Sequence, residues 1–414
     1  VESTGATETR ASSRRVALAI APGVLLAGVA GGIAFPILPV VGERAHLPLA
    51  FIGVILAANR AARVISNPAI GAFVDARGGR RTLLIGLVIQ VVVMIFYALG
   101  VITAHPGVFF LLGRILHGPG SACVFVAAQT LALNAGGAAH AGSAAGTVRA
   151  AMAVGVPIGL VSGGLLADAV GEAATFASAG GAILLALFLA HRLIPDLRAK
   201  AGKARTASLV NVWRELANRK LAAIGALNLV ASFSAGGMVL TTLVLLVERR
   251  HLSIGHFAEK STAGILMGFM IIVEGLVTPF IGRLGDRLHA HARIATSGVV
   301  LFVPALVIVA FAHRVGMLLL GLALIGLAVA ALGPSLLALL GAFVLPERRG
   351  SAIGVLQVAG DVGGTLGPLV GTAFFASSDR DAYLVSAVAC ACFIPFGLSL
   401  VRASAQLSAL RAVV

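Results

Sequence analysis

Apolar residues run along this chain in long blocks, separated by short polar stretches at near-regular intervals. A block of about 20 apolar residues is what a helix needs to cross the hydrocarbon core of a bilayer. Six such blocks fill the first half, at Val16–Val41, Pro48–Ile70, Thr82–Ala104, Val108–Leu133, Ala144–Ala167 and Ala173–Ala190. Six more fill the second, at Leu221–Val247, Ser261–Ile281, Ile294–Ala312, Val315–Leu345, Ala352–Ala376 and Ala382–Val401. The pattern predicts an all-α integral membrane protein of twelve transmembrane helices in two pseudo-symmetric six-helix bundles. The expected division is a disordered N-terminus over 1–15, a bundle over 16–192, a linker over 193–219, a second bundle over 220–402 and a tail over 403–414. The linker is the one long polar segment. Leu209, Val210, Trp213 and Leu216 at helical spacing predict a short helix on the inner membrane surface.

One polar stretch stands out, Asn67 to Arg81, with Gly71, Asp75, Arg77, Gly78, Arg80 and Arg81. Its charges exclude it from hydrocarbon. Pro68 and the glycines predict a tight turn and close backbone approach. It returns in weaker form from Thr278 to Arg287, where Gly282 and Asp286 each lie 211 residues beyond Gly71 and Asp75. A second repeat joins the fifth and eleventh spans. Gly146, Gly155, Gly159 and Gly163 in the fifth lie 208 residues before Gly354, Gly363, Gly367 and Gly371 in the eleventh. Glycines four apart share a helix face and let a neighbouring backbone come close. The chain therefore reads as two copies of one unit.

Composition agrees with the pattern: 59% of residues are hydrophobic, 11% are charged, and mean hydropathy is +1.02. A soluble domain carries about 25% charged residues. The net charge of +15 would suggest nucleic acid in a soluble protein. Here the basic residues gather in alternate loops, which places both Asp75-type blocks, the linker and both termini in the cytoplasm. No nucleic-acid partner is expected. Cys123, Cys390 and Cys392 all lie in apolar runs and predict neither disulfide nor metal site.

At these residues the chain resembles the major facilitator superfamily. Gly71 through Arg81 is similar to that family's loop motif between the second and third helices. Arg114, Gly118 and Gly120 resemble its arginine motif in the fourth. The fifth-span glycines resemble the motif associated with antiporters, with Leu160 where the family has proline and Pro157 nearby. The resemblance implies two inverted three-helix repeats in each bundle, a monomer, and peripheral third, sixth, ninth and twelfth helices.

The charges inside the spans support that arrangement independently. An intramembrane ionisable residue is costly and usually faces an aqueous cavity. The third, sixth, ninth and twelfth spans carry none between their ends. Arg60 and Arg63 lie in the second, Arg114 in the fourth, Arg149 in the fifth, Glu274 in the eighth, and Gln357 and Asp361 in the eleventh. Arg60 and Arg63 are expected to share one cavity face. These seven are the candidate substrate and proton residues, with His117 read as cavity wall or packing. Asp75 is expected to meet the start of the eleventh helix as a latch, since a carboxylate favours the positive end of a helix dipole.

No phosphate-binding loop, zinc motif or nucleophile elbow occurs. The chain is expected not to be an enzyme and to use no cofactor. An ion gradient is the expected energy source, with Asp361 and Glu274 as the mid-membrane carboxylates. Three functions remain open from sequence: proton-coupled efflux of a drug or metabolite through the cytoplasmic (inner) membrane, uptake of a small anionic metabolite, and a receptor or scaffold. The intact loop motif and buried charges favour the first two. The expected partners are a small-molecule substrate, protons and the lipid bilayer.

Overall fold

The computed structural model describes residues 2–194, 218–344 and 349–413. Positions 195–217 of the expected linker, with its surface helix, lie outside the described residues, as does Arg348. Everything regular among the described residues is helical, with no strand. The helices are α1 (Glu2–Arg44), α2 (Leu49–Arg77), α3 (Gly79–Ile102), α4 (Pro106–Val170) and α5 (Glu172–Leu193). After the linker come α6 (Arg219–Ala231), a π-helical segment (Ser232–Val239), α7 (Leu240–Arg249), α8 (Glu259–Leu288), α9 (His291–Ala310), α10 (Val315–Phe343), α11 (Arg349–Ser377) and α12 (Asp381–Val413).

Ten stretches among the described residues are long and apolar enough to span a bilayer, α6, the π segment and α7 together forming one of them. The shorter arm Val154–Val170 and α11 complete the twelve expected. The element α4 contains both the fourth and fifth spans. Its first arm runs antiparallel to α1, with Gly31 facing His117 and Phe35 facing Arg114. Its second arm runs parallel to α1, with Gly28 against Gly155 and Ile33 against Gly163. The two arms therefore point in opposite directions. On α3 the exposed apolar residues Ile85, Val88, Val92 and Ile95 recur at helical spacing. Exposed apolar side chains likewise mark α5 (Leu184, Leu185, Phe188), α9 (Val300, Val307) and α12 (Val388, Phe396). Such faces suit hydrocarbon and not water.

Helix α1 runs from Glu2. One expectation is corrected here: the block from Asn67 is not a turn, because α2 stays helical through Arg77. The chain reverses at Gly78 alone, with φ +85°, a conformation that disfavours any residue with a Cβ. Among the described residues, nothing lies within 4 Å of where a Cβ on Gly71 would stand. In the second copy α8 also continues past the block, to Leu288, and the reversal falls on His289 in the left-handed region.

The chain forms two compact units. One comprises Val1–Ala45 and Ala61–Thr206, the other His46–Arg60 and Ala207–Val414. The first turns of α2 thus belong to the second unit.

Candidate functional site

In the first unit, the glycines of α4 are set against the backbone of α1. A Cβ on Gly155 would lie 2.5 Å from the Leu25 carbonyl oxygen, and one on Gly163 would lie 2.8 Å from Ile33 Cα. A Cβ on Gly159 would collide with the carbonyl of Val29. This close seam brings α1 against both arms of α4 and fixes a cluster of polar side chains. Arg114 is 2% exposed, and its guanidinium carbon lies 5.4 Å from the Phe35 ring centroid. A desolvated cation over an aromatic face gains about 2 kcal/mol. Its charge acts on Tyr97 of α3 and on His117 one turn further along α4. The Arg63 charge acts on His117 as well. His117 is 5% exposed, and its Nδ1 has no hydrogen-bond partner among the described residues. Tyr97 is fully buried against Phe110 and Phe176. Arg114, His117 and Tyr97 form a buried polar cluster inside this unit.

The charged block is tied down nearby. The Arg80 guanidinium donates to the His191 carbonyl at the end of α5, at 2.7 Å, and Arg77 stacks over Phe73. Arg81 is exposed. The side chains of Asp75 and Arg149 lie outside those described, as do the surroundings of Gly146 and Gly354.

In the second unit, α11 packs on α6 and the π segment. A Cβ on Gly363 would collide with the Leu229 carbonyl, and one on Gly367 would lie 2.6 Å from Gly237 Cα. The same approach puts Asn228 within reach of α11, where its amide donates to the Leu356 carbonyl at 2.7 Å. Beside this seam lies Arg60. Its Nη2 donates to the Gly236 carbonyl in the π segment at 2.9 Å. Its guanidinium rests directly on the backbone of Gly364, where a Cβ would overlap it. Asp361 is 2% exposed and stands one turn before Gly364 on the same helix. A buried carboxylate and a guanidinium therefore lie about one turn apart along α11 in this unit.

Arg60 belongs to the second unit, where it reaches the α11 backbone, and Arg63 belongs to the first. Glu274 is half-buried, and its carbonyl accepts from the Thr278 hydroxyl at 2.7 Å. Gln357 is exposed. Asp286 pairs with His291 Nε2 at 2.9 Å, while Gly282 makes only ordinary contact with Pro334.

Sequence reading missed several members. Tyr97 is one of only two tyrosines, and its place inside an apolar run was the available signal. Asn228 was equally visible as a polar residue in such a run. The Gly236–Gly237 and Gly363–Gly364 doublets marked the seam. The unit's far end holds another missed cluster. Arg250, after α7, pairs with Asp379 at 2.6 Å and donates to the carbonyls of Ala310 and Ala312. Arg249 donates to the Phe375 carbonyl at 3.0 Å and stacks on its ring. Burial works to raise the Asp379 carboxyl, but the Arg250 hydrogen bond and charge, with Arg380 and Arg249, hold it below the usual carboxylate range.

Ten apolar spans among the described residues, with ionisable side chains buried among the helices, define a membrane transport protein in class. The Major Facilitator Superfamily profile matches residues 20–273 and 255–411, and the chain belongs to that family. It is 27% identical to an uncharacterized MFS-type transporter of Salmonella typhimurium, over 82% of this chain and 84% of that one. It is 26% identical to the multidrug resistance protein MdtG of Escherichia coli, over 88% and 89%. Among solved structures it resembles a bacterial homolog of the human lysosomal transporter Spinster, with TM-score 0.77 and 16% identity over 94% of this chain and 97% of that one.

Proposed function

We propose that this chain is a proton-coupled secondary transporter that exports a drug or metabolite by alternating access. The observation that carries this reading is Asp361, a carboxylate buried in a membrane-spanning helix with the Arg60 guanidinium on the same stretch of α11. Taking a carboxylate out of water costs several kcal/mol of desolvation, so proton binding and release there are coupled to how the site is closed. The name of the multidrug resistance relative supports export. In this reading the protein works as a monomer in the inner membrane, with both termini cytoplasmic and a bundle on either side of the linker. Substrate would drive the release of a proton inside, and a proton from outside would drive the release of substrate.

The test is transport in proteoliposomes under an imposed proton gradient. Asp361→Asn should keep substrate binding but lose its pH dependence and all gradient-driven accumulation. If that variant still accumulates substrate with a normal pH profile, Asp361 is structural and Glu274 becomes the proton site. The second reading, uptake of a small anionic metabolite, is favoured by the Arg114, His117 and Tyr97 cluster. It predicts that His117→Gln weakens binding of carboxylates and leaves binding of neutral compounds unchanged.

A further inference from the structure

Arg60 lies against the backbone of two helices. The guanidinium lies on α11 at Gly364, where any side chain would exclude it. A Cβ on Gly236 would stand 3.0 Å from its Nη2. Two helices thus meet the cation at positions that have no side chain. Next to those positions the two helices pack closely, with a Cβ on Gly237 only 2.8 Å from Gly367 Cα. The acceptor is a carbonyl of the π segment. The wider turn of a π-helix tilts its carbonyls off the helix axis, and such segments recur at functional sites. A carboxylate, Asp361, lies one turn away on the same helix. Carbonyl, carboxylate and bare backbone form a place that accepts a flat, hydrogen-bonding cation, and the protein's own arginine fills it.

We propose that Arg60 is a built-in occupant of a cation-accepting cradle, so that the chain selects neutral and anionic molecules, and that without Arg60 the cradle takes an organic monocation of the guanidine class. A simple packing role for Arg60 makes a different prediction. Removing a side chain that only holds helices together loosens the seam and creates no affinity for cations. Removing one that occupies a receptor leaves acceptors of the right charge and spacing, and a small guanidine can replace what was lost.

The proposal rests on the reading of the Asp361 site as a transport site, but its test does not need transport. Equilibrium binding of benzylguanidine to the detergent-solubilised full chain at fixed pH needs no gradient. Failure of proton coupling would leave this result untouched, and the reverse also holds. Arg60→Ala should bind benzylguanidine about tenfold or more tighter than the wild-type protein, with no matching gain for benzyl alcohol or benzoate. Arg60→Ala combined with Asp361→Asn should lose most of that gain. Arg60→Ser serves equally if Arg60→Ala elutes as aggregate. The proposal is overturned if folded Arg60→Ala or Arg60→Ser shows no gain, if benzyl alcohol gains as much, or if the gain survives loss of the Asp361 charge.

Discussion

At Gly159 a methyl group has nowhere to go, because the Val29 carbonyl already occupies its place. Backbone cannot move aside as a flexible side chain can. Gly159→Val should therefore cost about 1–3 kcal/mol or more through overpacking, read as a lower thermal unfolding midpoint in detergent. Gly71 is the contrasting case, since it lies in α2 with no described residue within 4 Å of where a Cβ would stand. Gly71→Ala should stabilise by about 0.5–1 kcal/mol, the ordinary helical difference, while Gly78→Ala, at φ +85°, should destabilise. An unchanged midpoint for Gly159→Val would mean that the seam relaxes. The sequence made the fifth-span glycines legible because their spacing is periodic. It misjudged Gly71 because composition alone cannot distinguish a glycine in a turn from one in a helix. The Gly236 acceptor of Arg60 was hidden for a related reason: it lies more than 170 residues away in the chain.

At the scale of elements, the apolar runs located every span but not every helix end. Hydropathy reports the thickness of hydrocarbon, whereas a helix stops where its backbone is forced to turn, at Gly78 and at His289. The loops of mixed charge carried a signal that was available but unread: Arg249 and Arg250 after the seventh span and Asp379 after the eleventh are complementary. Arg250 binds together the ends of α7 and α9 and the α11–α12 loop. Arg250→Ala leaves two carbonyls without that donor, and each buried orphan costs about 1–3 kcal/mol. The pH dependence follows from Asp379, whose carboxyl is held low in the folded state. Its stabilisation is fully present above the unfolded value of about 3.9 and is lost as pH falls through the lower folded value. Thermal melts across that range should show the wild-type midpoint falling more steeply than that of Asp379→Asn. Parallel curves would remove Asp379 from the account.

For the whole molecule, the positive-inside pattern makes a topological prediction. A cysteine introduced at Gly202, in the linker, should react with membrane-impermeant maleimide only after cells are opened, in a background with the native cysteines replaced. Reaction in intact cells would invert the orientation. The twofold organisation was readable from the 211- and 208-residue offsets, because glycines and charged loops tolerate few substitutes where backbones meet or chains reverse. What those offsets left unseen is how the first and seventh spans correspond. In the first unit Leu25 lies under Gly155 and Val29 under Gly159; in the second Leu229 lies under Gly363 and Phe233 under Gly367. The copies here match at an offset of 204. One turn later Gly32 meets Gly159 and Gly237 meets Gly367, so the offset has become 205. The slip falls inside Ser232–Val239. The wider turn of the π segment accommodates the extra residue that the second copy has at this place. The carbonyl that receives Arg60 belongs to that asymmetry, and so does any difference in what the two halves of this transporter can hold.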